Sequence, residues 1–482
     1  MRMCSTALLM FTLSTSLVTQ AIAQDVTPVK AKNVILLITD GAGINTWHAA
    51  SYYRHGALGH EVYDDFDVKL FASTYPLNMS NVPTHSQQGS VTFDAAKIWA
   101  KDKSDGTFKG SLGNYPGFFS GYDYLRADYT DSAAAATALA SGNKTYNNAI
   151  NWSNDDRKLK HIGEYVVENG KSLGVITSVQ WSHATPAGFL AHNVSRNEYA
   201  AIGKEIIDSG LATVVMGSGH PLYDENGKAT TPKNDKAYRY VGGKEEWDRL
   251  VSGKTAYKHI ETKADFEALA NNKLQMGNKT KLIGTVQNHA TLQFNRDGVA
   301  AGNLLPNQPD LPTMTKGALN LVAKNPNGFM LMVEGGAVDW AAHANNLPRL
   351  IEEQIDFNRA VEAVAQWVED NSSWDETLVI VTTDHGNGLL LGPDSNKEAF
   401  SDIVNQGAGA LPLVRWHTDT HTRELVPVFA KGPGANFLPS VAKSEAGLAA
   451  YHVAQDSQQF VDNTDIFRTV ANAFGIKTAQ SN

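Results

Sequence analysis

Apolar residues along this chain gather into short unbroken runs that end abruptly in polar or acidic residues. Four such segments stand out: Asn33 to Gly43 (NVILLITDGAG), Ser172 to Thr185 (SLGVITSVQWSHAT), Gly328 to Gly336 (GFMLMVEGG) and Thr377 to Gly388 (TLVIVTTDHGNG). Runs without apolar–polar alternation fit strands buried on both faces. Between them lie helix-like stretches. Asp131 to Ser141 is rich in alanine, and Leu347 to Asp370 carries Ile351, Ile355, Ala360 and Val364 at helical spacing. Strand–helix alternation predicts an α/β fold with a mostly parallel central sheet and helices on both faces. In such folds the site lies beyond the carboxyl ends of the strands, and those ends are where this chain places its unusual polar residues.

The pattern fades in three places. Residues 79–126 are rich in Gly, Ser, Tyr and Phe, residues 217–310 are polar, and residues 388–416 form a loop with Gly and Pro. We read all three as insertions on one catalytic domain spanning residues 24–482. Residues 1–23 read as a signal peptide: Arg2, an apolar run from Ala7 to Val18, and a small-x-small site at Ala21 to Ala23. That run is too short and too interrupted to serve as a membrane anchor. The expected location is therefore periplasmic or secreted. The single cysteine, Cys4, falls inside this leader, so any metal must be held by His, Asp, Glu and hydroxyl groups, which suit Mg²⁺ and Zn²⁺. A net charge of −9 over 482 residues argues against nucleic acid as a partner. It leaves a phosphate ester open as a substrate, because bound cations invert the local field.

Individually, the chemical signals are modest. Asp384 and His385 adjoin at a strand end before a glycine, and either a capped turn or a metal site fits them. Asp339 and His343 are four residues apart and so share a helix face, as an ion pair or as two ligands of one cation; Glu334 precedes them at a strand end. Asp40 heads a Gly-rich turn that matches neither nucleotide-binding loop spacing. Ser132 stands where a helix begins, where unsatisfied amides favour an anionic oxygen; a plain N-cap has the same appearance. His183 and Thr185 fall at a strand end. Arg196 offers a guanidinium fork for phosphate. His417 and His421 precede a further strand, and either is a possible ligand. So many ligand-type residues at strand ends form a pattern that no single bland explanation covers.

Together, TDGAG at Asp40, YTDSAAAATALASGNKTYNNAI at Ser132, HATPAGFLAHNVSRNEY from His183, VEGGAVDWAAHANN from Glu334, TTDHGNG at Asp384 and HTRELVPVFAKGPGA from His421 resemble the alkaline phosphatase family, in its order and spacing. The resemblance implies hydrolysis of phosphate monoesters through a phosphoserine at Ser132. It also implies two Zn²⁺ and one Mg²⁺. Asp339, His343 and His421 would hold the first zinc; Asp40, Asp384, His385 and the Ser132 oxygen would hold the second. Glu334, Thr185 and the shared Asp40 would hold the third metal, with His183 beside them where some members have aspartate, which leaves that metal's identity open. Arg196 would grip the phosphate, oriented by Asp131. Trp340 stands where other members carry a Lys or His that helps hold phosphate, and Arg423 replaces a glycine. His421 is preferred to His417 because a strand and Gly-Pro follow it at the family's distance. Many members are homodimers, which makes a homodimer possible here.

Alternatives on a related metal plan are a phosphodiesterase or a sulfatase. Ser132 is followed by alanines and not by the C/S-x-P-x-R setting of sulfatases, and a diester would crowd Arg196. A non-catalytic metal- or phosphate-binding protein would have had no need to keep every one of these groups.

Overall fold

A computed structural model describes residues 30–106 and 115–478; the expected leader, with Cys4, lies outside them. Strands form at β1 (Asn33–Thr39), β2 (Val68–Ser73), β3 (Ser172–Gln180), β4 (Val214–Ser218), β5 (Tyr257–Ile260), β6 (Lys281–Thr285), β7 (Phe329–Gly335), β8 (Thr377–Thr382), β9 (Gly386–Asn387), β10 (His421–Thr422), β11 (Val426–Lys431), β12 (Lys443–Ser444) and β13 (Gln459–Asp462). Among the described residues, eleven of them make one sheet in the order β12-β13-β2-β11-β8-β1-β7-β3-β4-β6-β5, and β9 and β10 pair separately. β1 is parallel to both β7 and β8, and β3 is parallel to β7 and β4. β11 runs antiparallel to its neighbours β2 and β8. The sheet is thus mostly parallel, as the uninterrupted apolar runs predict.

Both faces of the sheet are covered. Alternate residues of β1 divide between two cores: Val34, Leu36 and Ile38 pack with Leu139 and Phe467 on one side, while Ile35 and Leu37 pack with Phe357, Val361 and Val364 on the other. The second group comes from the long helix Leu347–Asn371, which matches the helical spacing read from the sequence. Asn346 caps this helix by accepting from Arg349 N, and Pro348 sits in its first turn, where a missing N–H costs nothing.

One reading changes. His183 and Thr185 do not continue β3. The strand ends at Gln180, and Thr185 lies in a short helix, Ala184–Gly188, with Pro186 near its start. Residues 217–310, expected as an insertion, carry β5 and β6, which extend one edge of the sheet, together with helices Lys244–Val251 and Lys263–Ala270. These strands of four and five residues are too short to stand out from a polar background. Residues 388–416 are a loop pinned by isolated bridges, Leu391 to Arg415 and Val404 to Leu413. Among the described residues no helix is long and apolar enough to cross a membrane.

The register aligns the strand ends that matter. Ile38 of β1 is level with Glu334 of β7 and Thr382 of β8, and Thr177 of β3 is also level with Glu334. Residues two positions beyond Ile38 and Thr382, Asp40 and Asp384, therefore emerge side by side. Leu331, wholly buried in β7, lies in the same strand as Glu334. Leu331→Ala should cost about 2–5 kcal/mol of stability from lost burial and the cavity left behind; a urea titration followed by far-UV circular dichroism would measure it.

Candidate active site

The parallel strand ends and the helices after them bring the predicted ligands together. Asp40 follows β1, and its backbone N–H donates to Gly335 O at 3.1 Å. Gly41 then turns in the left-handed region at φ +69°, where a Cβ would sit 2.5 Å from Asp339 Oδ1. Only glycine lets the backbone pass so near that carboxylate. Gly41 N–H and His385 N–H donate to Asp384 Oδ1 at 3.1 and 2.9 Å, which fixes this carboxylate and leaves its Oδ2 free to face the site.

Helix Ala337–His343 places Asp339 and His343 on one face, with His343 Nε2 3.4 Å from Asp339 Oδ2. His421 arrives from a distant stretch of chain because β10 pairs with β9, setting His421 against Asn387. The result is His421 Nε2 at 3.2 Å from Asp339 Oδ1 and at 3.1 Å from His343 Nε2. On the other side of Asp339, His385 Nε2 is 3.4 Å from Asp40 Oδ1 and 3.3 Å from Asp384 Oδ2. Two clusters result, Asp339–His343–His421 and Asp40–Asp339–His385, each with ligand atoms within 4.8 Å of one another.

The three imidazoles share one orientation. Nδ1 of His343, His421 and His385 lies 2.6, 2.8 and 3.2 Å from the carbonyls of Asp419, Thr130 and Gly386. Each Nδ1–H therefore donates outward, and each Nε2 lone pair points inward, as metal-ligating histidines are commonly held. Two inward lone pairs 3.1 Å apart, on His343 and His421, would repel unless a proton or a metal cation lies between them. The carboxylates carry the same message. Both oxygens of Asp40, Oδ2 of Asp384, Oε1 of Glu334 and Oγ1 of Thr185 are buried without a hydrogen-bond partner. Burial, with Asp384, Asp339 and Glu334 nearby, raises the Asp40 carboxyl well above its ordinary range. Burial likewise raises Glu334 to about 8 and Asp384 to about 6. Asp339 goes the other way: burial opposes its charge, but His343 and His421 hold it well below the ordinary value. Oxygen and imidazole donors of this kind fit divalent cations of the zinc and magnesium type.

Ser132 is the first residue of helix Ser132–Ser141, and Asp131 is its N-cap, accepting from Ala134 N. The Ser132 hydroxyl lies 3.2 Å from His385 Nε2. Asp131 Oδ1 accepts from the backbone of Ala134 and Asn148, each at 3.0 Å, and Oδ2 receives Arg196 Nη1 at 3.0 Å. Burial works against the Arg196 charge, but Asp131 outweighs it and holds the guanidinium above its ordinary value. Arg196 Nη2 sits 3.3 Å from His183 Nε2; burial and then Arg196 push that imidazole down to about 3, so it is neutral. Asp131, Ser132, His183, Arg196, Asp339 and Trp340 line one cleft of about 670 Å³, with His343 and His421 beside them. Trp340 packs edge-on to His183, with ring centroids 5.8 Å apart.

Some participants escaped the sequence reading. Thr177 donates to Glu334 Oε2, and Asn387 Nδ2 donates to Asp339 Oδ1 at 2.6 Å. Thr177 is a polar residue inside an apolar strand, and that is the signal that would have marked it. The competing histidine is now placed. His417 Nε2 lies 2.8 Å from Ser395 Oγ, its ring packs on Tyr122, and it lines no part of the cleft described above.

A family model described as alkaline phosphatase matches residues 114–409. The chain belongs to the alkaline phosphatase family of phosphoric monoester hydrolases. It is 28% identical to alkaline phosphatase H of Pseudomonas aeruginosa, over 95% of this chain and 88% of that protein. It is also 27% identical to the Escherichia coli alkaline phosphatase, over 95% and 89%. Alkaline phosphatase 4 of Bacillus subtilis is 32% identical, but the match spans 57% of this chain and about half (53%) of that protein's length. Among solved structures, the Thermus thermophilus alkaline phosphatase shares the fold at a TM-score of 0.62 with 19% identity, covering 96% of each chain. The alkaline phosphatase of the Antarctic bacterium TAB5 gives 0.60 with 22% identity, covering 93% of this chain and 100% of its own.

The two histidines separate by mutation. We expect His421→Ala to lower zinc retention and phosphatase turnover at least about tenfold, while His417→Ala leaves zinc per chain unchanged; metal analysis after gel filtration reads both.

Proposed function

We propose that this member of the alkaline phosphatase family hydrolyses phosphate monoesters through a covalent phosphoserine at Ser132, at a site built for two Zn²⁺ and a third cation. The observation that carries the reading is the convergence of Ser132, Arg196 and two clusters of inward-facing ligands on one cleft. Asp339, His343 and His421 would hold one zinc, and Asp40, Asp384, His385 and the Ser132 oxygen the other. Glu334, Thr185 and Asp40, whose facing oxygens lack partners, would hold the third cation. When bound, such ions lower the pKa of a coordinated hydroxyl and stabilise the attacking and leaving oxygens of an in-line displacement.

The chain's own residues supply the rest. Arg196, fixed by Asp131, presents its guanidinium to two non-bridging oxygens of the phosphoryl group and neutralises charge that persists in the transition state. A dianionic monoester suits this better than a diester, which offers one charge fewer. Ser132, at a helix N-terminus, has amides and the helix dipole on its side as its oxygen becomes anionic. Its oxygen attacks phosphorus, the ester oxygen departs as the alcohol, and water then cleaves the Ser132–phosphorus bond to release inorganic phosphate.

Supporting the metal reading, one solved relative in fold, a TAB5 alkaline phosphatase mutant with glutamate in place of a histidine, has Mg bound in its M3 site. His183, beside the third set of ligands and neutral in this structure, would tune which ion that position takes. Trp340, lacking the charge of a lysine or histidine, would leave phosphate more weakly held on its side of the cleft. We also read residues 1–23 as an export leader, which would place the enzyme in the periplasm or outside the cell.

Two measurements test this reading. Hydrolysis of p-nitrophenyl phosphate should far exceed that of its bis-ester and sulfate analogues, vanish with a chelator, and return with zinc plus magnesium; preference for the bis-ester would overturn the role of Arg196. Ser132→Ala should keep its zinc yet lose turnover on the order of 10³-fold or more; near-wild-type turnover would remove Ser132 as nucleophile.

A further inference from the structure

Away from the cleft, a second set of ligand-type side chains converges where helix Ile162–Glu168 begins. His161 precedes this helix, Glu164 lies in its first turn, and His192 comes from the segment after helix Ala184–Gly188. The ligand atoms of all three lie within 4.8 Å of one another. Glu164 Oε2 is 3.7 Å from His161 Nε2 and 3.4 Å from His192 Nε2, and the two rings have centroids 5.1 Å apart.

Two independent features set this cluster apart from an ordinary ion pair. First, His161 is completely buried, and neither ring nitrogen has a hydrogen-bond partner. A buried polar group without a hydrogen-bond partner carries an uncompensated desolvation cost, and Glu164 Oε2, at 3.7 Å from His161 Nε2, is too far away to hydrogen-bond it. Second, His192 is already oriented as a ligand. Its Nδ1 lies 3.0 Å from Glu205 Oε1, so the Nδ1–H donates to a carboxylate and Nε2 turns toward Glu164 and His161. A carboxylate behind a histidine is the usual outer support of a metal-bound imidazole. Glu164 keeps 30% of its side-chain surface exposed, which leaves a solvent side where water can complete four-coordination.

We propose that His161 Nε2, His192 Nε2 and Glu164 form a further divalent-metal site, of the two-histidine, one-carboxylate type that zinc favours, separate from the catalytic cleft. Burial holds His161 down to about 3, so its imidazole is neutral and keeps a lone pair on one ring nitrogen. Burial disfavours a charge on His192 too, but Glu164 and Glu205 raise it to about 9; a proton there occupies the charge position that the cation would take over. A cation here would tie the helix to the segment that runs on to Arg196.

Zinc itself is the probe. Chelator-stripped wild type and His161→Asn, titrated with zinc at equal concentration, should differ by one tightly held zinc per chain, with equal p-nitrophenyl phosphate turnover once loaded. Glu164→Gln should behave as His161→Asn does. Equal zinc stoichiometry in all three would overturn the site. Should the variants fail to fold, anomalous diffraction at the zinc edge from wild-type crystals grown with stoichiometric zinc decides: a peak bounded by His161, Glu164 and His192 supports the proposal, and none there overturns it.

Discussion

Asp40, Glu334, Asp339 and Asp384 are packed together at the edge of a low-dielectric core, and their mutual repulsion is the constraint around which the rest of the site is arranged. All four side chains are buried. Unpaired carboxylates in such a place either take up protons or require cations. The raised pKa values of Asp40, Glu334 and Asp384 express the first alternative, and the inward-facing imidazoles of His343, His385 and His421 provide for the second. Asp339 belongs to both ligand clusters, so the two cannot be adjusted independently of each other.

The fold supports this arrangement by making the site's floor rigid. β1, β7 and β8 are fully buried strands in parallel register. A slip of one residue would turn Glu334 away from Thr177 and Asp40 and exchange the side chains packed into the two cores. Small residues then allow close approach. Gly41 runs against Asp339, and the alanines after Ser132 let its helix lie deep in the core. The Arg196 side of the cleft is organised separately, through Asp131, which caps the helix that begins at Ser132 and also binds Arg196. Loss of Asp131 would therefore act on Ser132 and the Arg196 guanidinium together.

The strands on which the site is built were legible because their apolar runs are long and unbroken. Asp339 with His343 was legible because helix spacing alone puts them on one face. Asp40, Asp384 and His385 could be recognised as strand-end residues, but not as neighbours, since sequence gives no strand order. β5 and β6 were lost in the polar stretch 217–310, being too short to generate a pattern. Thr177 and Asn387 went unmarked because each reaches the site only through another side chain, Glu334 or Asp339.

By itself, then, the sequence determined the long strands and helices, the strand ends at which polar residues gather, the candidate ligands and, through resemblance, the family. Those features are local, and residue periodicity and short motifs encode them directly. Resemblance favoured His421 over His417, and only the tertiary structure showed which of the two lies at the cleft. That choice depends on β10 pairing with β9, two strands of two residues each, which carries His421 against Asp339 and leaves His417 beside Ser395. It likewise brought His161, Glu164 and His192 together, since two helices and a strand must pack before residues so placed along the chain can share one cation.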